Sequence, residues 1–184
     1  VMRGKQIECT LNSYYLFGNT PVSGIQKATV KEGAIEWQEI THHTLRLTPL
    51  HKEGTFTLPS VTIGIGFHWE RKEEETFKGS FSLIPDGDSL CVVNELPVEE
   101  YLISVLSSEM KSTASKEFLK AHAVISRSWL LAQCGVGPDR KNHDKPFVDS
   151  DQGNRHIKWY DHDQHTLFDV CADDHCQRYQ GISR

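Results

Sequence analysis

The first ninety or so residues alternate apolar and polar positions, the two-residue period of half-buried strands. The stretches "HTLRLTPL" (43–50) and "GTFTLPSVTIGIGFHW" (54–69) both show it. In the longer one Ile63, Ile65, Phe67 and Trp69 fall on one face. Its glycines read as small residues in a strand; a dinucleotide loop would need a third glycine and a following helix. "SFSLIPDGDSLCVV" (80–93) divides into two short strands at Asp86-Gly87, a dipeptide suited to a tight hairpin.

At Asn94 the period lengthens. Pro97 stands where a first helical turn accepts it, and Glu99 and Glu100 stand where the positive end of the helix dipole favours acids. Val98, Tyr101, Leu102, Val105 and Leu106 recur at i, i+3, i+4, i+7 and i+8, which defines one buried helical face. A second helix is expected near 115–133, with Phe118, His122, Ile125 and Trp129 along one stripe, ending at the glycines and proline of "QCGVGP". From 135 to 165 the chain is polar, rich in Gly, Asp and His, and without a sustained period, as a long loop or polar insertion would be. The last segment starts like a strand and breaks into a Cys/His cluster. The pattern predicts an α+β fold. A β-rich part over 1–90 packs on a two-helix core, and 91–184 holds that core and the Cys/His-containing segment.

One position breaks the helical pattern. Eleven residues on from Val98 the buried face returns, and it presents Glu109. Helix-end carbonyls and apolar surroundings both disfavour a negative charge, so a carboxyl placed there can donate a proton. The bland alternative is a helix that frays before Glu109 and leaves it solvated.

Composition narrows the partners. The 184 residues are 38% hydrophobic and 24% charged, ordinary for a globular chain. A net charge of −5 with scattered Lys and Arg argues against a nucleic-acid surface. No window approaches the run of about 20 apolar residues that a membrane span needs, and "VMRGKQIE" lacks the apolar core of a signal peptide. A start at Val1-Met2 reads as that of a processed or engineered chain. Five cysteines cannot all pair within the chain; Cys9, Cys91 and Cys134 sit among apolar residues as buried thiols would. "HH" at 42–43 reads as exposed polar residues.

Cys171, His175 and Cys176 lie within six residues, and His165 lies six before Cys171. Thiolate and imidazole at short spacing suit tetrahedral zinc, and four protein ligands would make the site closed and structural. A Cys171–Cys176 disulfide is the competing reading. His143, His156 and His162 are spare ligands.

"VVNELPVEEYLISVLSSEMKSTASKEFLKAHAVISRSWLLAQ" (92–133) resembles the core of the SpoIID/LytB family, the stage II sporulation protein D and amidase-enhancer proteins of bacterial cell walls. The Asn-x-Leu-Pro lead-in, the Glu-Tyr-Leu helix start, the Ser-Glu-Met triplet and the Leu-Lys-Ala-x-Ala-Val and Arg-Ser elements carry the likeness. "FDVCADDHCQRYQG" (168–181) is similar to the family's Asp-Val-Cys…His-Cys-Gln segment, so the likeness covers roughly a third of the chain.

The resemblance implies a cell-envelope, extracytoplasmic protein acting on peptidoglycan glycan strands. Its sporulation branch implies a lytic transglycosylase with Glu109 as the catalytic glutamate. The acid protonates the glycosidic oxygen after N-acetylmuramic acid, then takes the proton of that sugar's own C6 hydroxyl as it attacks C1. A 1,6-anhydro sugar results, no water is consumed, and the paired carboxylates of ordinary glycosidases are not required. Asp149 is a distant candidate for a second carboxylate. Ser108, Lys120 and Arg127 are expected as substrate contacts. The family also implies zinc at His165, Cys171, His175 and Cys176. The enhancer branch implies the alternative: a non-catalytic binder that recruits or activates a cell-wall amidase. A zinc hydrolase ranks below both, because four ligands leave no open position for water. Two departures stand out. His122, read as a core-edge histidine bonding its neighbours, replaces the family's usual glutamine. The chain also stops at Arg184 without the family's further strands and Ser-Gly-Gly segment, as a fragment of a longer protein would.

Overall fold

The computed structural model describes residues 1–111, 113–135, 150–152, 155–157 and 165–182, with the backbone alone for 150–152 and 155–157. The first 95 residues form ten antiparallel strands: β1 (Met2–Gly4), β2 (Gln6–Phe17), β3 (Thr20–Lys31), β4 (Ala34–Trp37), β5 (Ile40–His42), β6 (Leu45–Pro49), β7 (Thr55–Ile63), β8 (Arg71–Lys78), β9 (Ser80–Asp86) and β10 (Ser89–Glu95). They run in the order β1-β10-β9-β6-β2-β3-β4-β5, with β7 pairing β2 and β8. The strand β2 pairs with β3 along its length and divides its other edge between two neighbours. Thr10 and Leu11 face β7, and beyond an irregularity Tyr15 and Leu16 face β6. Alternation drives this assembly: in β7 Phe56, Leu58, Val61 and Ile63 are buried, with an irregularity between Leu58 and Val61 absorbing the extra residue. Phe56 lies at the centre, its ring 5.4 Å from Phe77 and 5.1 Å from Phe81. The hairpin at Asp86-Gly87 joins β9 to β10, with Gly87 at a φ of 60°.

Two helices follow, α1 (Val98–Glu109) and α2 (Lys116–Gln133), and a small hairpin of β11 (Ser150–Gln152) and β12 (Arg155–Ile157). The helix α1 starts after Pro97, with Glu99 and Glu100 in its first turn, and buries Tyr101, Leu102 and Val105 in the same core as the sheet. Ser115 caps α2 by accepting from the Phe118 N–H at 3.3 Å. The α+β reading stands.

Two details differ from the pattern. First, β7 ends at Ile63. Gly64 and Gly66 take left-handed φ angles of 71° and 79°, so the chain turns and Ile65 and Phe67 become exposed. Second, the inward face of α2 is Leu119, His122, Ala123, Ser126 and Leu130, while Phe118 and Ile125 are 51% and 66% exposed. Small polar residues mark the inward face, with Ser104 of α1 and Ser126 of α2 both buried, and a count of apolar residues misses it. Among the described residues no helix is long and apolar enough to cross a membrane.

Candidate active site and metal-binding group

Residues 165–182 form a strap that ties the helices to the sheet. Tyr179 is buried, stacks on Tyr101 at 5.0 Å and donates its hydroxyl to Asn94 Oδ1 at 2.6 Å. Gln177 Nε2 donates to the Ser126 carbonyl of α2 at 3.3 Å, and the Ile182 N–H donates to the Thr76 carbonyl of β8 at 2.7 Å. Gly181 permits that approach, since a Cβ there would lie 2.1 Å from the Thr76 oxygen.

Glu109 is the last residue of α1. Met110 leaves the helix in an extended conformation while its N–H still donates to the Leu106 carbonyl. The carboxylate is three-quarters buried, above the fully buried Val105. Its two oxygens have different partners. Oε1 accepts the main-chain N–H of Arg178 at 3.0 Å, and Oε2 lies 3.0 Å from His122 Nε2 without the alignment of a hydrogen bond. A main-chain amide can only donate, so Oε1 is fixed as an acceptor and Oε2 is the oxygen free to carry a transferable proton. The Arg178 side chain is set by Asp174 Oδ1, which accepts from its Nε and Nη2 at 3.0 and 2.7 Å.

The carboxylate opens to a groove of about 800 Å³ lined by Ile103, Leu106, Ser107, Ser108, Met110 and Leu119, among others. Glu109 is the one carboxylate among its described lining residues. Ser108 lines it too, with its hydroxyl shielded and without a hydrogen-bond partner among the described residues. Lys120 and Arg127 do not line it. Lys120 donates to Glu117 at 2.9 Å, and Arg127 forks onto Glu99 with Nε 3.0 Å from Oε1. That fork holds the Glu99 carboxyl below its ordinary range, and the pair braces α2 against the start of α1. Asp149, His143 and His162 lie outside the described residues, as does the side chain of His156.

His165, Cys171, His175 and Cys176 come together, with all four ligating atoms within 4.8 Å of one another. His165 Nε2 is 3.3 Å from Cys176 Sγ, and His175 Nδ1 is 3.6 and 3.8 Å from Cys176 and Cys171 Sγ. A tetrahedron with bonds of about 2.0–2.3 Å has edges of roughly 3.3–3.8 Å, so the group could hold a metal ion of zinc's size. Both cysteines are free. The contact between the two thiols lowers Cys171 from its ordinary range and raises Cys176. Cys9, by contrast, is pushed up to about 12 by burial and is an inert core thiol.

Sequence reasoning missed the Arg178 contact, because a main-chain N–H carries no side-chain signature. It did single out His122, but as a core-edge residue and not as a neighbour of Glu109. The "Ser-Glu-Met" and "HCQR" stretches, 69 residues apart at the Glu109–Arg178 contact, are the signals that could have joined the two.

The described residues thus combine an antiparallel sheet, two helices, a carboxylate at a helix end and a Cys/His group near the C-terminus. The chain belongs to the SpoIID family, described as stage II sporulation protein, whose model matches residues 86–184, more than half of the chain. An uncharacterized protein of Brachyspira hyodysenteriae is 42% identical over 55 residues, 30% of this chain. The matched stretch spans 15% of that relative's length. No solved structure matches the chain. Family membership implies a role at the cell wall.

Proposed function

We propose that the protein is a peptidoglycan lytic transglycosylase of the extracytoplasmic cell envelope, with Glu109 as its single acid and base. The observation that carries this reading is the unequal clamp on the Glu109 carboxylate. Oε1 is held by the Arg178 N–H, and Oε2 faces His122 at the edge of an open groove. Protonated Oε2 gives its proton to the glycosidic oxygen as the C1–O bond breaks. The C6 hydroxyl of the muramyl residue then attacks C1, and its proton returns to Glu109. The cycle closes without water or a second carboxylate, which suits a groove with one described acid. Ser108 lines the groove, but its shielded hydroxyl would have to turn outward to bond a sugar. Lys120 and Arg127, engaged by Glu117 and Glu99, are better suited to bracing the helices.

Zinc at His165, Cys171, His175 and Cys176 serves structure in this proposal. Four protein ligands leave no open position, and Arg178 lies two residues beyond Cys176, so a metal there would hold in place the amide that grips Glu109.

The second reading, a non-catalytic activator of a cell-wall amidase, is favoured by apolar side chains exposed on the helices, one of which, Ile103, also lines the Glu109 groove. Ile103 of α1 and Phe118, Val124 and Ile125 of α2 are 62%, 51%, 60% and 66% exposed, and exposed apolar side chains are what a partner would cover. Glu109→Gln separates the readings, since it keeps the side-chain shape and removes the proton. The enzyme reading expects 1,6-anhydro product to fall by a factor of about 10²–10⁴ with glycan binding retained. Undiminished product from this variant ends the case for Glu109. No anhydro product from either form, with equal stimulation of an amidase by both, establishes the activator.

A further inference from the structure

The turn between β7 and β8 has no part in the chemistry above, yet it is firmly built. The Phe67 N–H donates to the Gly64 carbonyl at 3.0 Å, the Glu70 N–H to the Phe67 carbonyl at 3.0 Å, and the Gly66 N–H to Glu70 Oε2 at 2.8 Å. Gly64 also lets Trp69 fold back, since a Cβ there would lie 2.2 Å from the indole ring. The result is a stacked pair, Phe67 on Trp69, with centroids 5.3 Å apart and planes inclined by 16°. Phe67 is 49% exposed and Ile65 60% exposed, so the turn spends its hydrogen bonds on presenting an aromatic ring to solvent.

The stack is joined to the acid. The Arg178 guanidinium sits 5.1 Å from the Trp69 ring centroid, and the main-chain N–H of the same residue holds Glu109 Oε1. A cleft of about 550 Å³, separate from the groove at Glu109, has Ile63, Ile65, Asp173 and Arg178 in its lining and lies beside the turn.

We propose that Phe67, backed by Trp69, is a sugar-stacking subsite for the glycan strand on the approach to Glu109. A pyranose ring presents an apolar face of C–H groups and a rim of hydroxyls. A flat aromatic ring suits the apolar face, and Phe67 presents one, half exposed and backed by Trp69. A second protein as occupant would need a larger apolar patch than one ring and one isoleucine. The inference rests on the glycan reading of the Glu109 groove and assigns it a second point of contact.

The test uses the whole protein and peptide-free glycan strands, with affinity measured by titration calorimetry and anhydro product measured alongside. Phe67→Ala should weaken binding roughly tenfold, Phe67→Tyr should restore it, and the turnover rate at saturating substrate should not change. Because Phe67 is half exposed, the melting temperature of both variants should match that of the parent. Unchanged affinity in Phe67→Ala overturns the subsite, and if the parent still makes anhydro product the Glu109 reading survives. Phe67-dependent binding by a parent that makes no product keeps the subsite and removes the catalytic reading. A parent that binds no glycan overturns both.

Discussion

The sheet and the seam between helices and strap are held by opposite means. The sheet buries Tyr15, Phe56, Phe77, Phe81 and a run of leucines to 1% exposure or less, and its order follows from that burial. The seam buries Ser104, Ser126, Gln177 and Gln180, and is fastened by the Arg178–Glu109, Gln177–Ser126 and Tyr179–Asn94 hydrogen bonds. Apolar contacts are non-directional and tolerate small shifts, whereas hydrogen bonds fix atoms to tenths of an ångström. The helices and strap share the apolar core of the sheet through Tyr101, Leu102, Val105 and Tyr179, and the contacts that aim the carboxylate are added to it as directed hydrogen bonds.

The largest effect should come from the sheet. Phe56→Ala removes the ring at the centre of the aromatic cluster and should cost about 3–5 kcal/mol in chemical denaturation. A loss under about 1 kcal/mol would mean that the cluster does not dominate the fold.

Metal removal should strike the seam alone. The protein as isolated should carry about one equivalent of zinc, and chelation should lower the melting temperature by roughly 5 °C. Hydrogen exchange should then show the Tyr179 and Ile182 amides, bonded to Ala172 and Thr76, losing protection while β2 and β9 keep theirs. A native Cys171–Cys176 disulfide found by mass spectrometry would remove the zinc site. The smallest effect should be that of Lys120→Ala. Its exposed pair with Glu117 is worth less than about 0.5 kcal/mol, and glycan cleavage should not change. A large loss of cleavage would return Lys120 to the substrate.

This division also explains what could be read from the chain. Strand alternation, the Asp86-Gly87 hairpin, the buried face of α1 and the Cys/His group were legible, because each is a local pattern of residue types. Glu109 was noticed as a break in such a pattern. The inward side of α2 was legible only in part: His122 and Trp129 of the predicted stripe lie against the core, while Phe118 and Ile125 are exposed and Ser126 is buried in their stead. Nor was the turn at Gly64, where alternation continues in the sequence after the strand has ended. The contacts that aim Glu109 join residues 13 and 69 positions away, one of them through the backbone, and only the folded chain brings them together.

Glu109 is proposed to cleave glycan with the substrate's own hydroxyl as nucleophile. Digesting purified peptidoglycan in heavy-oxygen water, with mass spectrometry of the released fragments, tests it most directly. The expected products are 1,6-anhydro-muramyl ends that carry no solvent oxygen. Reducing ends labelled with heavy oxygen, or intact glycan whose peptides fall only when an amidase is added, would contradict it.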